Sequence, residues 1–187
     1  GNDNTIMSEE IDVLKTVIGR LDEAKIPYMI TGSIAGNFYS IPRMTRDIDM
    51  IAEINLSDTK KIYELFKDDF YIDEEQVTAA VKEQEMFNII HNEAIVKVDF
   101  IVRKNSEYRR LEFSRRKYFD FEGMKIAIVS PEDLIVSKLF WAKESRSEMQ
   151  IKDIKNLMAS VENLDYNYIK KWVKELDIEN IFNEALR

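Results

Sequence analysis

Residues 28–54, YMITGSIAGNFYSIPRMTRDIDMIAEI, hold two apolar runs separated by a Gly-Ser turn and a polar segment. YMIT (28–31) reads as a buried strand, Gly32 as a tight exit from it, and SIAGNFYS as a short helix with Ser33 at its N-cap. RDIDMIAEI (46–54) reads as the next strand. Side chains alternate along a strand with period two, so Asp47 and Asp49 leave one face while Ile48 and Met50 leave the other. Two like charges about 7 Å apart along a strand must each be hydrated, hydrogen-bonded or neutralised, and a divalent cation does this most directly. An exposed edge strand would show the same alternation. Ser33 is open to two roles as well. A serine N-cap is commonplace, yet a helix N-terminus also offers unpaired N–H groups and partial positive charge to a phosphate. The chain contains neither GxxxxGKS/T nor GxGxxG, so a phosphate site here is of another kind.

On the N-terminal side, Ile11, Leu14, Val17, Ile18 and Leu21 follow helical spacing from a Ser8 N-cap to Lys25, and Pro27 stops the helix. Downstream, a helix from Ser57 to about Asp68 places Ile62, Leu65 and Phe66 on one stripe, and a second helix covers 74–84. MFNIIH (86–91) and AIVKVDFIV (94–102) read as a hairpin through Asn92. Asp99 interrupts the apolar second strand, and an acid there costs stability unless it is paired. If this strand neighbours 46–54, Asp47, Asp49 and Asp99 converge, a set suited to one or two magnesium ions bridging triphosphate oxygens. A salt bridge from Asp99 to Lys97 or Arg103 accounts for the acid equally well. A further strand covers 125–129. From Ser130 the chain turns helical: SPEDLIVSKLFWAKE has Ser at the N-cap, Pro at the first helical position and acids in the first turn. More helices follow at 148–160, 166–176 and 179–186. The expectation is an α/β (α+β) core over 1–129 with a helical part, 130–187, packed on it.

Composition narrows the chemistry. The 187 residues include no cysteine and one histidine, His91, so thiolate zinc sites, His-rich metal sites and cysteine nucleophiles are excluded. Carboxylates and lysines must carry any reaction, and hard oxygen ligands select magnesium, manganese or calcium. A net charge of -8 opposes non-specific binding along nucleic acid, although one basic face remains compatible with it. No apolar run of about 18 residues exists, and the polar start GNDNTIM does not resemble a secretion signal, so no membrane partner and a cytoplasmic location are expected.

Taken together, Gly32-Ser33, then R-x-T-x-D-x-D (Arg43, Thr45, Asp47, Asp49), then a V-D-F strand carrying Asp99 resemble the polymerase-β-type nucleotidyltransferase superfamily. SPEDLIVSKLFWAKESRSEMQIKDIKNL is similar to the helical region of its minimal bacterial branch, which includes the AbiEii-like toxin nucleotidyltransferases. Many members show Gly-Gly-Ser where this chain has Thr31-Gly32-Ser33. The resemblance implies a nucleotidyltransferase-like mixed sheet flanked by helices and Mg2+- or Mn2+-dependent transfer of a nucleoside monophosphate from an NTP to a hydroxyl. The acceptor would be a small molecule, a tRNA or other RNA end, or a protein; a toxin-like member would have a cognate antitoxin as partner. By the same resemblance, Asp47, Asp49 and Asp99 hold the metal, and Asp99 helps deprotonate the acceptor. Gly32, Ser33, Arg43 and Thr45 form the nucleotide-binding turn. Lys138 pairs with the triphosphate, Asp153 orients Lys138 or the acceptor, and Arg146, with Lys143, is a further triphosphate candidate.

Lys138 could instead be a snorkelling surface lysine, and Asp153 a partner of Lys152 or of a neighbouring helix. RKNSEYRRLEFSRRK (103–117) carries seven basic residues against Glu107 and Glu112, and reads either as a solvated helix or as an electropositive wall beside the site. His91 reads as a satisfied hairpin residue. Two readings compete with the enzyme: a catalytically idle nucleotide-binding or protein-interaction module of the same fold, and an interaction protein whose acids are coincidental.

Overall fold

The structure is a computed structural model that describes the backbone from Asn2 to Arg187 and side chains from Ser8 onward. Helix α1 (Asn2–Glu23) leads into β1 (Tyr28–Thr31), α2 (Gly32–Tyr39) and β2 (Asp47–Ala52). Ser8 lies inside α1 rather than at its cap, because the helix already runs from Asn2. After a 3₁₀ turn at Leu56–Asp58 come α3 (Thr59–Phe66), the two-residue β3 (Phe70–Tyr71), α4 (Glu74–Glu83), β4 (Met86–His91) and β5 (Lys97–Val102). The 3₁₀ turn takes the place of the first turn of the expected 57–68 helix; its cap is Asn55, with Asp58 Oδ2 accepting from the Asn55 N–H at 2.9 Å.

The basic segment forms α5 (Glu107–Ser114) and β6 (Lys117–Phe121), which pairs with β7 (Met124–Ile128) across a tight turn at Glu122-Gly123. Four helices close the chain: α6 (Pro131–Ser145), α7 (Glu148–Ser160), α8 (Tyr166–Glu175) and α9 (Glu179–Leu186).

Seven strands make one mixed sheet in the order β3-β4-β5-β2-β1-β7-β6. β1 pairs antiparallel with β2 and parallel with β7, and β2 pairs parallel with β5. One face carries Ile30, Ile48, Met50, Val98 and Phe100, all buried, under α1 and α3. The ring of Phe66 on α3 lies 6.1 Å from that of Phe100. Removing each such side chain from water contributes about 1.5–3 kcal/mol, enough together to hold two helices on the sheet. Arg20 clamps the same layer by donating to both Asp69 oxygens, at 2.8 and 2.6 Å.

The opposite face carries Thr31, Ile51 and Ile101 and is covered by α5 and α6. The first turns of α6 are buried from Pro131 to Leu139. Asp133, fully buried, accepts hydrogen bonds from the hydroxyls of Ser130 (2.6 Å), Tyr108 (3.0 Å) and Tyr168 (2.6 Å) and from Arg115 Nε (3.1 Å). A charge so deep is tolerated because each lone-pair direction has a donor.

That arrangement also narrows the electropositive-wall reading of 103–117. Arg109 turns inward to Glu112, which is buried, at 2.9 Å, and Arg115 pairs with Asp133 and Glu132. Two of the segment's seven basic residues, Arg109 and Arg115, are thus spent on buried acids. His91 is satisfied at the hairpin, its Nδ1 accepting from the Ala94 N–H at 3.0 Å.

Candidate active site

Strand register builds the acid group. Asp49 lies opposite Asp99 across the β2–β5 ladder and opposite Thr31 across β1–β2, while Asp47 lies opposite Lys97. All five side chains share the α5/α6 face, at the end where β1 gives way to α2. Asp47 is exposed, Asp49 half-buried and Asp99 buried.

Burial pushes the Asp49 carboxyl up to about 6, with the Asp99 and Asp47 charges adding to the shift. Asp99 is raised as well, first by burial; the Lys97 ammonium opposes that and Asp47 adds to it. Asp99 Oδ1 is buried with no hydrogen-bond partner among the described residues, a costly condition that a cation or donor would relieve. Lys97 Nζ reaches Asp47 at 3.7 Å and Asp99 at 3.6 Å, so the salt bridge to Lys97 that the sequence left open is present; Arg103 pairs instead with Glu53, at 3.3 Å. Among the described residues no three acidic or imidazole side chains already surround one point as a finished metal cage.

The turn beside the acids needs a glycine. Gly32 has φ +64, and a Cβ there would lie 2.8 Å from Asp49 Cγ and closer still to its Oδ2. Gly32→Ala therefore meets backbone strain and displaces the Asp49 carboxylate at once. The expected loss is about 1–2 kcal/mol of unfolding free energy, read from urea denaturation with an unchanged m value. An alanine variant as stable as the parent would contradict this geometry.

Ser33 is not the cap. Thr31 occupies the N-cap position, without a side-chain capping bond, and Ser33 lies in the first turn of α2, where its Oγ accepts from Arg43 Nη2 at 2.8 Å. Because Oγ is the acceptor there, its proton stays free for another oxygen. The same Arg43 nitrogen donates to Asp153 Oδ2 at 3.1 Å, and Lys138 Nζ meets that oxygen at 3.1 Å. Burial raises the Asp153 carboxyl, but the Arg43 hydrogen bond and the Lys138 ammonium outweigh it and hold it below the ordinary range. Lys138 is buried rather than snorkelling, since α7 packs across it and supplies Gln150 Oε1 at 3.4 Å as well as Asp153. Thr45 Oγ1 accepts from the Asp47 N–H at 3.3 Å, fixing the entry to β2.

Arg146 does not join this group. It ends α6 in the left-handed conformation and points to Glu184 on α9, 3.9 Å away, eight residues and about 12 Å of helix beyond Lys138. Lys143 likewise turns to Asp177, donating to its carbonyl at 2.9 Å. Sequence reasoning missed Asn37, whose amide donates to the Arg43 carbonyl at 2.7 Å while its oxygen accepts from the Arg43 N–H at 2.9 Å. No period or motif flags it.

No protein-family model matches the sequence, and no curated protein matches it. Solved structures do resemble it. The antibiotic-resistance factor ANT(2'')-Ia superposes with a TM-score of 0.58 at 12% identity, over 99% of this chain and 100% of that one. An antigenic nucleotidyltransferase-like protein from Paracoccidioides brasiliensis gives 0.57 at 18% identity, over 94% and 93% of the two chains. The lincosamide antibiotic adenylyltransferase LnuA, bound to lincomycin, gives 0.53 at 14% identity, over 79% and 96%. The fold is that of the nucleotidyltransferases. In this nucleotidyltransferase fold, Asp47, Asp49 and Asp99 stand on the adjacent strands β2 and β5, and Ser33 lies in the first turn of the helix after β1.

Proposed function

We propose that this chain transfers a nucleoside monophosphate from a nucleoside triphosphate to an acceptor hydroxyl, with magnesium or manganese as its resident cation. The observation that carries the proposal is Asp49 aligned with Asp99, both drawn out of solvent, with Asp99 Oδ1 lacking a partner among the described residues beside a helix start. Asp47, Asp49 and Asp99 offer only hard oxygen donors and fit a hard divalent ion. Such an ion supplies charge neutralisation at both ends of an in-line displacement at the α-phosphorus.

The chain's own groups do the rest. Ser33 donates its free proton to a β- or γ-phosphate oxygen. Lys138 and Arg43, both held on Asp153, turn their remaining donors to the triphosphate. Asp99 accepts the proton of the acceptor hydroxyl. Gly32 and Thr45 keep the turn and strand entry in place. Support for the reaction class comes from neighbours whose names state adenylyl transfer to lincosamides, an adenylyl-2''-tobramycin complex and polyadenylate synthesis. The AbiEii-like, toxin-type form, with a cognate antitoxin, is the finer part of the proposal and rests on the motif order through Asp153.

The test is incubation with each α-labelled nucleoside triphosphate, Mg2+ and a cell extract. Label should enter one macromolecular or small-molecule fraction, and excess chelator should abolish the transfer. Absence of both transfer and Mg2+-dependent triphosphate binding would defeat the proposal. Lys97 favours a second reading, a catalytically idle nucleotide-binding or interaction module, because its ammonium already neutralises two of the acids. Triphosphate binding without transfer to any fraction would select that reading.

A further inference from the structure

A cavity of about 210 Å³ lies behind the binding turn, on the face of the sheet opposite the acids. Ile30 of β1 and Ile126 and Ile128 of β7 line its floor, Ile11 and Leu14 of α1 one wall, and residues 42–45 the side towards Arg43. Phe38 and Met44, 41% and 49% exposed, mark its mouth. The polar residues among the described lining are Glu10, Asn37, Arg43 and Thr45, and all but Glu10 are already occupied. Asn37 is bound to the Arg43 backbone, the Arg43 guanidinium to Ser33 and Asp153, and the Thr45 hydroxyl to the backbone of Asp47. Glu10 is 6% exposed, and its Oε1 has no hydrogen-bond partner among the described residues. Burial pushes its carboxyl up; the Arg46 guanidinium opposes that shift and the Asp47 charge adds to it. An acid so placed costs stability until a donor reaches it.

We propose that this cavity is a binding site for a small organic cation: an ammonium, held by Glu10, on a compact apolar body the size of a substituted aromatic ring. Size sets the body, since an apolar cavity of about 150 Å³ takes up benzene and one of about 210 Å³ accommodates a ring with a short arm. Charge sets the head. A hydrocarbon leaves Glu10 unpaired and an anion is repelled by it, whereas an ammonium brings three donors to the carboxylate. That carboxylate is already desolvated in the folded chain, so only the ligand's own hydration opposes the contact. An apolar lining with few convergent polar groups is also the general make-up of small-molecule sites. The sheet separates this site from the transfer centre proposed above, because Ile30 belongs to the α1 face and its neighbour Thr31, opposite Asp49, to the other. A ligand seated there touches residues 42–45, the segment that carries Arg43, from behind and meets none of Asp47, Asp49 and Asp99.

The test uses the full chain with isotope-labelled isoleucine methyls, followed by NMR, and takes phenethylamine, phenethyl alcohol and phenylpropionate as probes of similar shape and different charge. Phenethylamine should shift the methyls of Ile34 and Ile128 and leave those of Ile51 and Ile101, on the acid-bearing face, unmoved. It should bind at least about tenfold more tightly than the alcohol, the worth of a charge-assisted hydrogen bond, and the carboxylate should not bind. Glu10→Gln keeps the size of the side chain and removes its charge, so it should bring the amine down to the affinity of the alcohol and leave the alcohol unchanged. The same methyl spectrum reports that the variant keeps the parent fold. Methyls of Ile34 and Ile128 that stay unmoved at every soluble concentration of the amine overturn the proposal. So does an alcohol or carboxylate that binds as tightly as the amine, or a Glu10→Gln variant that binds the amine as the parent does. None of these measurements involves a triphosphate, so the transfer reaction stands or falls separately.

Discussion

Asp49→Asn lowers the initial rate of nucleotide transfer by on the order of a thousandfold, about 4 kcal/mol of barrier, in a protein that remains folded. Asparagine keeps the shape and one acceptor oxygen, so the β1–β2 and β2–β5 ladders on both sides of position 49 are undisturbed. What disappears is the negative charge between Thr31 and Asp99. The same substitution should leave stability unchanged or raised. The folded-state carboxyl titrates near 6, above the ordinary value of 3.8, so at neutral pH the ionised form is less comfortable folded than unfolded. The neutral amide removes that penalty. Initial rates with α-labelled triphosphate and a thermal melt of the same sample check both halves. Transfer at the parent rate would remove Asp49 from the catalytic group, and a melting point many degrees lower would make its role structural.

Asp133→Ala has the largest expected effect on stability, a loss of about 3–5 kcal/mol. The substitution removes one of the two carboxylates that pair with Arg115 and strands three hydroxyls, on Ser130, Tyr108 and Tyr168, that now converge on it. These groups come from α5 and its C-cap, the α6 N-cap and α8, so the layers covering the acid-bearing face loosen together. Asp133→Asn keeps an acceptor for both tyrosines and loses chiefly the ion pair, so its cost should be about half as large. Urea denaturation of both variants measures the difference. A loss below about 1 kcal/mol for the alanine variant would show that water replaces the carboxylate at no cost.

Local periodicity made most elements legible. YMIT, DIDMIA and the α6 start could be read because alternation, capping residues and Pro131 act within a few residues of one another. Ser33 was misread as a cap for a related reason: serine at a strand-to-helix junction has a strong local preference, whereas Thr31 holds the position through the positive φ of Gly32. β6 was hidden because KYFDF shows no polar–apolar alternation and follows directly on a basic run, and its partner strand lies across a turn carrying Gly123. The alignment of Asp49 with Asp99 could be stated only as a condition, since a parallel pairing between distant strands leaves no local trace. Burial of Lys138 depended likewise on α7 crossing it. Arg146 entered the candidate site through the motif resemblance, which does not reveal where a helix ends.

The position of β1 has a consequence for how the chain comes into being. β1 joins β2, about twenty residues later, on one edge and β7, about a hundred residues later, on the other. During synthesis from the N-terminus, β1, β2 and β5 can therefore meet, and the three acids assemble, before Lys138 and Asp153 have been made. Until β7 arrives, that half-sheet ends on the unpaired edge of β1, an invitation to foreign strands. Closing the long loop onto Ile30 covers that edge with β7, and only after β7 has been made do Lys138 and Asp153 follow to complete the group around the acids.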